Sequence, residues 1–187
     1  ELGGKVNVLI SEDSQQDFKG MINFPAIFGG TLATKVSAMD LSGGGYFNNP
    51  TRNTTEGDTE VQAWSASALW NPNDNFQAHL IYDDIDDETN ARPTTCFNGA
   101  GELFNFVGQP AAECNPAISD FHYNTFHGAD QRASVEVEAV TLNVQWNINE
   151  NNKLVAIYGT REMEETSLQE FDNSAADLFR VSRPQTE

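Results

Sequence analysis

Polar and apolar residues alternate along several segments of this chain, and a period of two is typical of a β-strand with one buried side. The clearest segment runs from Ala139 to Ile148. Its apolar positions are Val140, Leu142, Val144 and Trp146. Phe76–Asp83 and Leu32–Met39 alternate in the same way, while Val61–Trp70 and Lys153–Arg161 are strand-like with weaker sidedness. The pattern therefore predicts an all-β protein whose strands each have an apolar side.

The connections between these segments alternate between short and long. Asn71–Asn75 and Asn149–Asn152 are short and rich in turn formers, whereas residues 42–60, 84–134 and 164–187 form long polar stretches. Short periplasmic turns and long extracellular loops are typical of an outer-membrane barrel. A soluble β-sandwich also alternates inside and outside, but it does not require every second connection to be long. The pattern therefore favours antiparallel up-and-down strands of a transmembrane β-barrel.

Aromatic residues lie next to the short turns. Trp70 and Phe76 flank the first turn, and Trp146 precedes the second. A membrane barrel places amphipathic rings at the boundary between water and lipid, so these three residues are candidates for an aromatic girdle. The alternative is that they are core aromatics of a sandwich.

The chain is strongly acidic, with 28 acids against 10 bases and a formal net charge of −18. This charge argues against nucleic acid as a partner, because phosphate binding needs a surface rich in Lys and Arg. Acids cluster in Asp83–Glu88 and Glu162–Glu165, where strands are expected to run into long loops. The acidity indicates either a well-solvated surface or an outward face that meets cations.

Cys96 and Cys114 are the two cysteines, and 17 residues separate them. Because both lie in one polar loop, they favour a loop-closing disulfide and an oxidising compartment. Closing such a loop would stabilise the fold by about 3 kcal/mol in the chain-entropy model. Two unrelated free thiols are the alternative.

The sequence contains no motif of a known catalytic site, so no enzymatic activity, cofactor or metal is expected. His122 with His127, and the acids of Asp83–Glu88, are residue types that bind metal ions, but ordinary loop residues are the simpler interpretation. Exposed aromatics in the long loop could bind an organic ligand or pack the loop against itself. The candidates are Phe104, Phe106, Tyr123 and Phe126.

Several short stretches resemble the beginning of the barrel of a TonB-dependent outer-membrane receptor. Leu2–Ile10 is similar to the strand that ends the plug domain of that family, and Asn23–Ala33 resembles a periplasmic hairpin that follows it. Leu69–Asp74 resembles another turn, and Tyr158–Arg161 resembles a later strand. The order and spacing of these motifs carry the resemblance, which covers most of the chain except the loop with the cysteines.

This resemblance implies that the chain is a fragment of a longer protein of the bacterial outer membrane. Residues 1–11 would end the plug domain, and residues 12–187 would form about six strands of a partial barrel. The whole protein would take up a scarce nutrient, such as an iron chelate, a vitamin or an oligosaccharide. Its partners would be membrane lipid, the nutrient and the inner-membrane energising complex, reached through TonB. A secreted or surface-exposed β-sheet module, such as an adhesin or fibre subunit, is the alternative.

Overall fold

The computed structural model describes residues 2–12, 14–90, 125, 128–170 and 180–186, and these residues form ten β-strands and no helix. The strands are β1 (Gly3–Ile10), β2 (Gln16–Asn23), β3 (Leu32–Gly43), β4 (Phe47–Asn49), β5 (Thr54–Glu56), β6 (Thr59–Asn73), β7 (Phe76–Asp87), β8 (Arg132–Asn149), β9 (Asn152–Glu170) and β10 (Arg180–Thr186). The all-β class expected from the alternation is confirmed.

Eight of the strands form one antiparallel sheet in the order β1-β2-β3-β6-β7-β8-β9-β10. Each strand pairs with the strands before and after it in this order, and β4 and β5 form a separate two-stranded ribbon. The sheet is open, so β1 and β10 are its edges. The up-and-down antiparallel arrangement is therefore shown, and the sheet has eight strands where about six were expected.

The strands extend further than the apolar alternation indicated. β7 runs to Asp87, β8 starts at Arg132 and β9 runs to Glu170, so each enters a range that was expected to be loop. Two further elements, the β4–β5 ribbon and β10, also lie within expected loops. The reason is that ladder hydrogen bonds join backbone groups, and these continue after the side chains have become polar. The loops of 42–60, 84–134 and 164–187 are therefore shorter than the sequence indicated.

β1 occupies the segment that was assigned to the end of a separate domain. Its residues pair with β2 from Gly3 opposite Asn23 to Ile10 opposite Gln16. In the described structure this segment is therefore the first strand of the large sheet. The domain boundary near residue 11 stays a prediction.

The pairing register places the apolar positions of neighbouring strands on one face, which we call the aromatic face. Residues directly opposite each other in an antiparallel pair share a face. One row of opposite residues is Val36, Ala66, Tyr82, Val140 and Thr160. The next row toward the short turns is Thr34, Ala68, Leu80, Leu142 and Tyr158. The opposite face, which we call the mixed face, carries His79 and Asn143 at the same level.

The apolar positions of the aromatic face form a band that crosses the sheet diagonally. On β1 the band is centred on Val8, and on β9 it is centred on Ala156. The row that contains Val8 passes through Phe18 and Asp40 and reaches β9 at Glu164, eight residues beyond Ala156. The band is thus displaced along the strands by roughly one residue for each strand crossed. A band at constant height shows this displacement when the strands are tilted.

The sheet is a single layer, and few hydrophobic side chains are buried in it. Of the hydrophobic residues in the described part of the chain, only Ala129 and Val137 are buried. Large apolar side chains such as Trp70, Leu80 and Trp146 are each between 45% and 47% exposed. Backbone pairing, rather than a packed core, holds the described residues together.

Asparagine side chains shape the two short turns between long strands. The Asn73 side-chain oxygen accepts the backbone N–H of Asn75 at 2.9 Å, and that of Asn149 accepts the N–H of Asn151 at 3.0 Å. These bonds fix tight turns without a long loop. We call the strand ends next to these two turns the turn end of the sheet, and the opposite strand ends its loop end.

The turn between β2 and β3 needs left-handed backbone. Gly29 has a φ of 69° and Gly30 a φ of 93°, and the Gly30 N–H donates to the Ile27 carbonyl at 3.2 Å. Glycine adopts such angles at little cost because it has no Cβ.

We predict that Gly30→Ala destabilises the protein by about 1 kcal/mol, since a side chain is disfavoured at this φ. An added Cβ meets no atom within 4 Å at Gly30 or at Gly20, and Gly20 lacks the positive φ. Gly20→Ala is therefore the matched control, with no loss expected. Reversible urea unfolding of both variants measures the difference, and equal stabilities would contradict the backbone explanation.

Candidate functional site

Aromatic contacts mark both borders of the apolar band. At the turn end, the rings of Trp70 and Phe76 meet edge to face with centroids 5.6 Å apart. Trp146 lies directly opposite Phe76 on the next strand, so the structure brings the three predicted girdle residues together. At the other border, Trp64 and Tyr82 have ring centroids 4.9 Å apart.

Trp64 and Tyr82 were not among the predicted girdle residues. Both lie six residues along the strand from a predicted one, Trp64 from Trp70 and Tyr82 from Phe76. An even spacing places both members of each pair on one face of a strand, which was a signal available in the sequence. Their contact across β6 and β7 depends on the register, which the sequence alone does not provide.

Carboxylates follow the apolar band on the same face toward the loop end. One row places Asp84, Glu138 and Glu162 directly opposite each other on neighbouring strands, next to Trp64. The next row contains Asp86, Glu136 and Glu164. Like charges directly opposite each other are destabilising, so these rows require water or counter-ions around them. The acids were expected where strands enter loops, and the structure places them on continued strands instead.

Charged side chains are divided between the two faces. Most strand carboxylates within the sheet lie on the aromatic face, in the two acidic rows and at Asp40. Two basic residues of the sheet strands, Arg132 and Arg180, lie on the aromatic face. The other basic residues of these strands lie on the mixed face, namely Lys5, Lys19, Lys35, Lys153, Arg161 and Arg183. The face with the exposed aromatic band therefore has a negative border, while the mixed face carries charges of both signs.

A hydrogen-bonded group of side chains, which we call the loop cluster, lies at the loop end. The Thr125 hydroxyl donates to the Glu56 carboxylate at 2.9 Å, and its N–H donates to the Asn48 carbonyl at 2.9 Å. The Glu170 carboxylate accepts the Ala129 N–H at 2.7 Å. Asn49, Thr125 and Glu170 are at most 2% exposed. These bonds tie Thr125 to the β4–β5 ribbon and Ala129 to the end of β9.

An arginine–aspartate–arginine group strengthens the loop cluster. Arg52 donates to one oxygen of Asp130 at 2.8 Å, and Arg132 donates to the other at 2.6 Å. Partial burial would raise the pKa of Asp130, but the hydrogen bonds from Arg132 and Arg52, with their positive charges, outweigh it. The pKa of Asp130 is therefore lowered from its ordinary value.

A small pocket of about 110 Å³ opens within the loop cluster. Its polar lining includes Arg52, Glu56, Asp58, Asn90, Asp130 and Gln131. Gln131 is 8% exposed, and its amide nitrogen has no hydrogen-bond partner among the residues that the structure describes. Buried polar groups in folded proteins are normally satisfied by protein groups or by ordered water, so this donor is an exception.

Several predicted residues lie outside the described part of the chain. These are Cys96 and Cys114, Phe104, Phe106, Tyr123 and Phe126, and His122 and His127. The disulfide and the aromatic ligand site therefore stay predictions. His79, the one histidine among the described residues, lies on the mixed face opposite Asn143.

No three His, Cys, Asp or Glu side chains within the described ranges are arranged so that they could hold a metal ion. Those ranges also include no helix with the length and hydropathy needed to span a membrane. Comparison with models of protein families, with curated proteins and with solved structures finds no significant match to this chain.

We predict that the Asp130 group contributes stability that depends on pH. A lowered pKa means that this contribution is present above the ordinary pKa, near 3.8, and is lost as the pH falls through the lower folded value. The Asp130 side chain is 43% exposed, so solvent limits the contribution to about 1 kcal/mol or less.

The measurement compares the wild type with Asp130→Asn by denaturant unfolding at about pH 6 and about pH 2.5. At the higher pH the wild type should be more stable than Asp130→Asn. This difference in the free energy of unfolding should be smaller at the lower pH. A difference that is the same at both values would contradict the assigned ion pairs.

Proposed function

We propose that this chain forms part of the wall of an outer-membrane β-barrel, with its aromatic face toward lipid. The exposed apolar band carries the proposal. Its side chains belong to seven neighbouring strands, yet residues such as Leu80 and Trp146 are nearly half exposed. Soluble proteins rarely expose a continuous apolar surface of this extent, because water contact with it is unfavourable.

The diagonal course of the band supports a membrane orientation. A shift of about one residue per strand, with about 3.3 Å per residue and 4.8 Å between strands, corresponds to a tilt of about 35 to 40°. Strands of outer-membrane barrels are tilted by roughly this amount. A level band on tilted strands is what a flat membrane of constant thickness requires.

The borders of the band also suit a membrane. Trp70, Phe76 and Trp146 lie at one border and Trp64 and Tyr82 at the other, as in the paired aromatic girdles of such barrels. Carboxylates begin directly after the second border, where lipid head groups and water would meet them. β8 and β9 have 18 and 19 residues, longer than a crossing needs, so their ends would stand outside the membrane.

The proposed activity is energised uptake of a scarce nutrient by a TonB-dependent receptor, in which this chain has no chemistry of its own. The order of the resembling motifs supports it, because they fall on successive structural features. Asn23–Ala33 contains the turn between β2 and β3, and Leu69–Asp74 contains the end of β6. The described strand ends that lead into the long connections lie at the loop end, where a nutrient would arrive from outside. Membrane lipid, the nutrient and the energising complex would be the partners of the whole protein.

A secreted or surface-exposed β-sheet module is the second candidate, and the open edges favour it. Among the described strands, β1 and β10 each pair with one neighbour, and such an edge can add a strand from another chain, as in fibres and adhesins. In such a module the apolar band would meet a second sheet. Among the described strands no second sheet covers the band, and this observation favours the membrane proposal.

Fractionation of the native source tests the proposal as a whole. We expect peptides of this chain in the outer membrane, within a larger protein whose gel mobility changes on boiling, as folded barrels show. A soluble mature chain near 20.6 kDa would overturn the barrel and leave the secreted module.

We predict that Leu142→Arg impairs insertion into bilayers while Asn143→Arg is tolerated. Leu142 lies within the apolar band and Asn143 is its neighbour on the mixed face, so the pair is matched in position. An arginine facing lipid near the middle of a bilayer costs about 2 to 4 kcal/mol. Folding of the intact protein into lipid vesicles, followed by the change in gel mobility, measures both. Equal tolerance of the two variants would contradict a lipid-facing band.

A further inference from the structure

A groove crosses β2 and β3 on the aromatic face, because two small residues lie there between larger ones. Val6, Gly20, Ala38 and Trp64 are directly opposite each other on four neighbouring strands. Gly20 has no side chain and Ala38 has only a methyl group, and a Cβ added at Gly20 would meet no atom within 4 Å. The groove has a volume of about 770 Å³, which is within the range of small-molecule sites, and we call it the β2–β3 groove.

Apolar side chains form the walls of the β2–β3 groove. They are Val6, Phe18, Ile22, Val36 and Trp64, which are between 41% and 77% exposed. A hydrocarbon chain lying above Gly20 and Ala38 would contact walls on both sides as well as the floor. It would therefore make more van der Waals contacts in the groove than on a flat surface.

Carboxylates line the part of the groove that lies nearer the loop end. Asp40, Gln62 and Asp86 are directly opposite each other on β3, β6 and β7, so the two acids lie on either side of Gln62. Their backbones are about 10 Å apart, which is two strand spacings. Asp84 lies two residues from Asp86 on the same face, and it accepts a hydrogen bond from the Tyr82 hydroxyl at 3.3 Å. A group lying above Gln62 would therefore face carboxylates on two sides.

The charge at this end of the groove is negative. Within the described residues, no basic side chain of the aromatic face lines the groove. Lys19 is among the lining residues, but its position belongs to the mixed face, where its ammonium lies 3.7 Å from Asp17. The groove therefore favours a ligand that has a positive group beside its apolar part.

Head groups of membrane lipids differ in how well they match these carboxylates. Carboxylates accept hydrogen bonds, and a primary ammonium is positive and donates three. A quaternary ammonium is positive but has no N–H to donate. A head group with a phosphate and hydroxyls alone is negative, so the carboxylates repel it. The expected order of affinity is therefore primary ammonium, quaternary ammonium and then the anionic head group.

We propose that the β2–β3 groove is a binding site for one membrane lipid whose head group carries a primary ammonium. An acyl chain lies over Gly20 and Ala38, and the ammonium lies between Asp40 and Asp86. The apolar part of the groove and the carboxylates follow one another along the strands in the order in which a lipid presents its tail and its head. The inference rests on the proposed function, because it requires this face to meet lipid, and it deepens that function by naming the lipid.

Native mass spectrometry of the intact protein in detergent tests the site. The probes are phosphatidylethanolamine, phosphatidylcholine and phosphatidylglycerol with the same acyl chains. The wild type should retain one molecule of phosphatidylethanolamine, with an affinity about tenfold or more above that for phosphatidylglycerol. Phosphatidylcholine should lie between the two.

One pair of variants tests the acyl-chain contact. Ala38→Phe fills the groove and should weaken the binding of phosphatidylethanolamine by about tenfold or more. Ser37→Phe is the matched control, because it adds the same ring at the neighbouring position on the mixed face, and it should bind like the wild type.

A second pair of variants tests the head-group contact. Asp84→Asn combined with Asp86→Asn should bring the affinity for phosphatidylethanolamine down to that for phosphatidylcholine. Asp83→Asn combined with Asp87→Asn makes the same change on the mixed face of the same strand, and the preference should persist there.

Gel mobility before and after boiling shows which samples are folded barrels. A folded wild type that retains the three lipids equally would overturn the site and leave the barrel in place. A folded Ala38→Phe variant that binds phosphatidylethanolamine like the wild type would also overturn it. A dimer that Ala38→Phe dissociates would assign the groove to a second copy of the chain instead of a lipid. Protein that never forms a barrel would overturn both this site and the proposed function.

Discussion

Register is the constraint on which the rest of this structure depends. In a single-layered antiparallel sheet, a shift of one residue would move every side chain of a strand to the other face. Six successive pairings keep the apolar positions of β1 to β9 on one face and most basic positions on the other. Since few side chains in the described residues are buried, the apolar pattern and the tight asparagine turns together define this register.

The same register produces two regions with different physical character. The aromatic face is apolar over several rows, is bordered by rings and then becomes acidic, which divides each strand into a part suited to lipid and a part suited to water. At the loop end, buried polar side chains such as Asn49 and Glu170 organise the connections through hydrogen bonds. The first region is the basis of the proposed membrane location, and the second holds the connections at the loop end together.

The sequence predicted the strand class, the short turns and the position of Trp70, Phe76 and Trp146 beside those turns, because these depend on local patterns. Val140 and Leu142 alternate strictly with polar residues, so their shared face followed directly from the period of two. The sequence did not predict how far β9 extends, because backbone pairing does not require apolar side chains.

The sequence also did not predict the acidic rows or the pocket. Asp84, Glu138 and Glu162 are far apart along the chain, and only the register shows that they are adjacent. Gln131 looks like an ordinary loop residue until its burial and its unpaired amide are known. Contacts between loops depend on tertiary structure, for which no local pattern is a sufficient signal.

The most direct test of a lipid-facing aromatic face is a spin-label scan along β8 of the intact protein in a lipid bilayer. Labels at Val140, Leu142 and Val144 should collide mainly with dissolved oxygen, which concentrates in lipid. Labels at Thr141, Asn143 and Gln145 should collide mainly with a water-soluble nickel complex. Strong collision with the nickel complex at all six positions would show that both faces meet water, and would contradict the account.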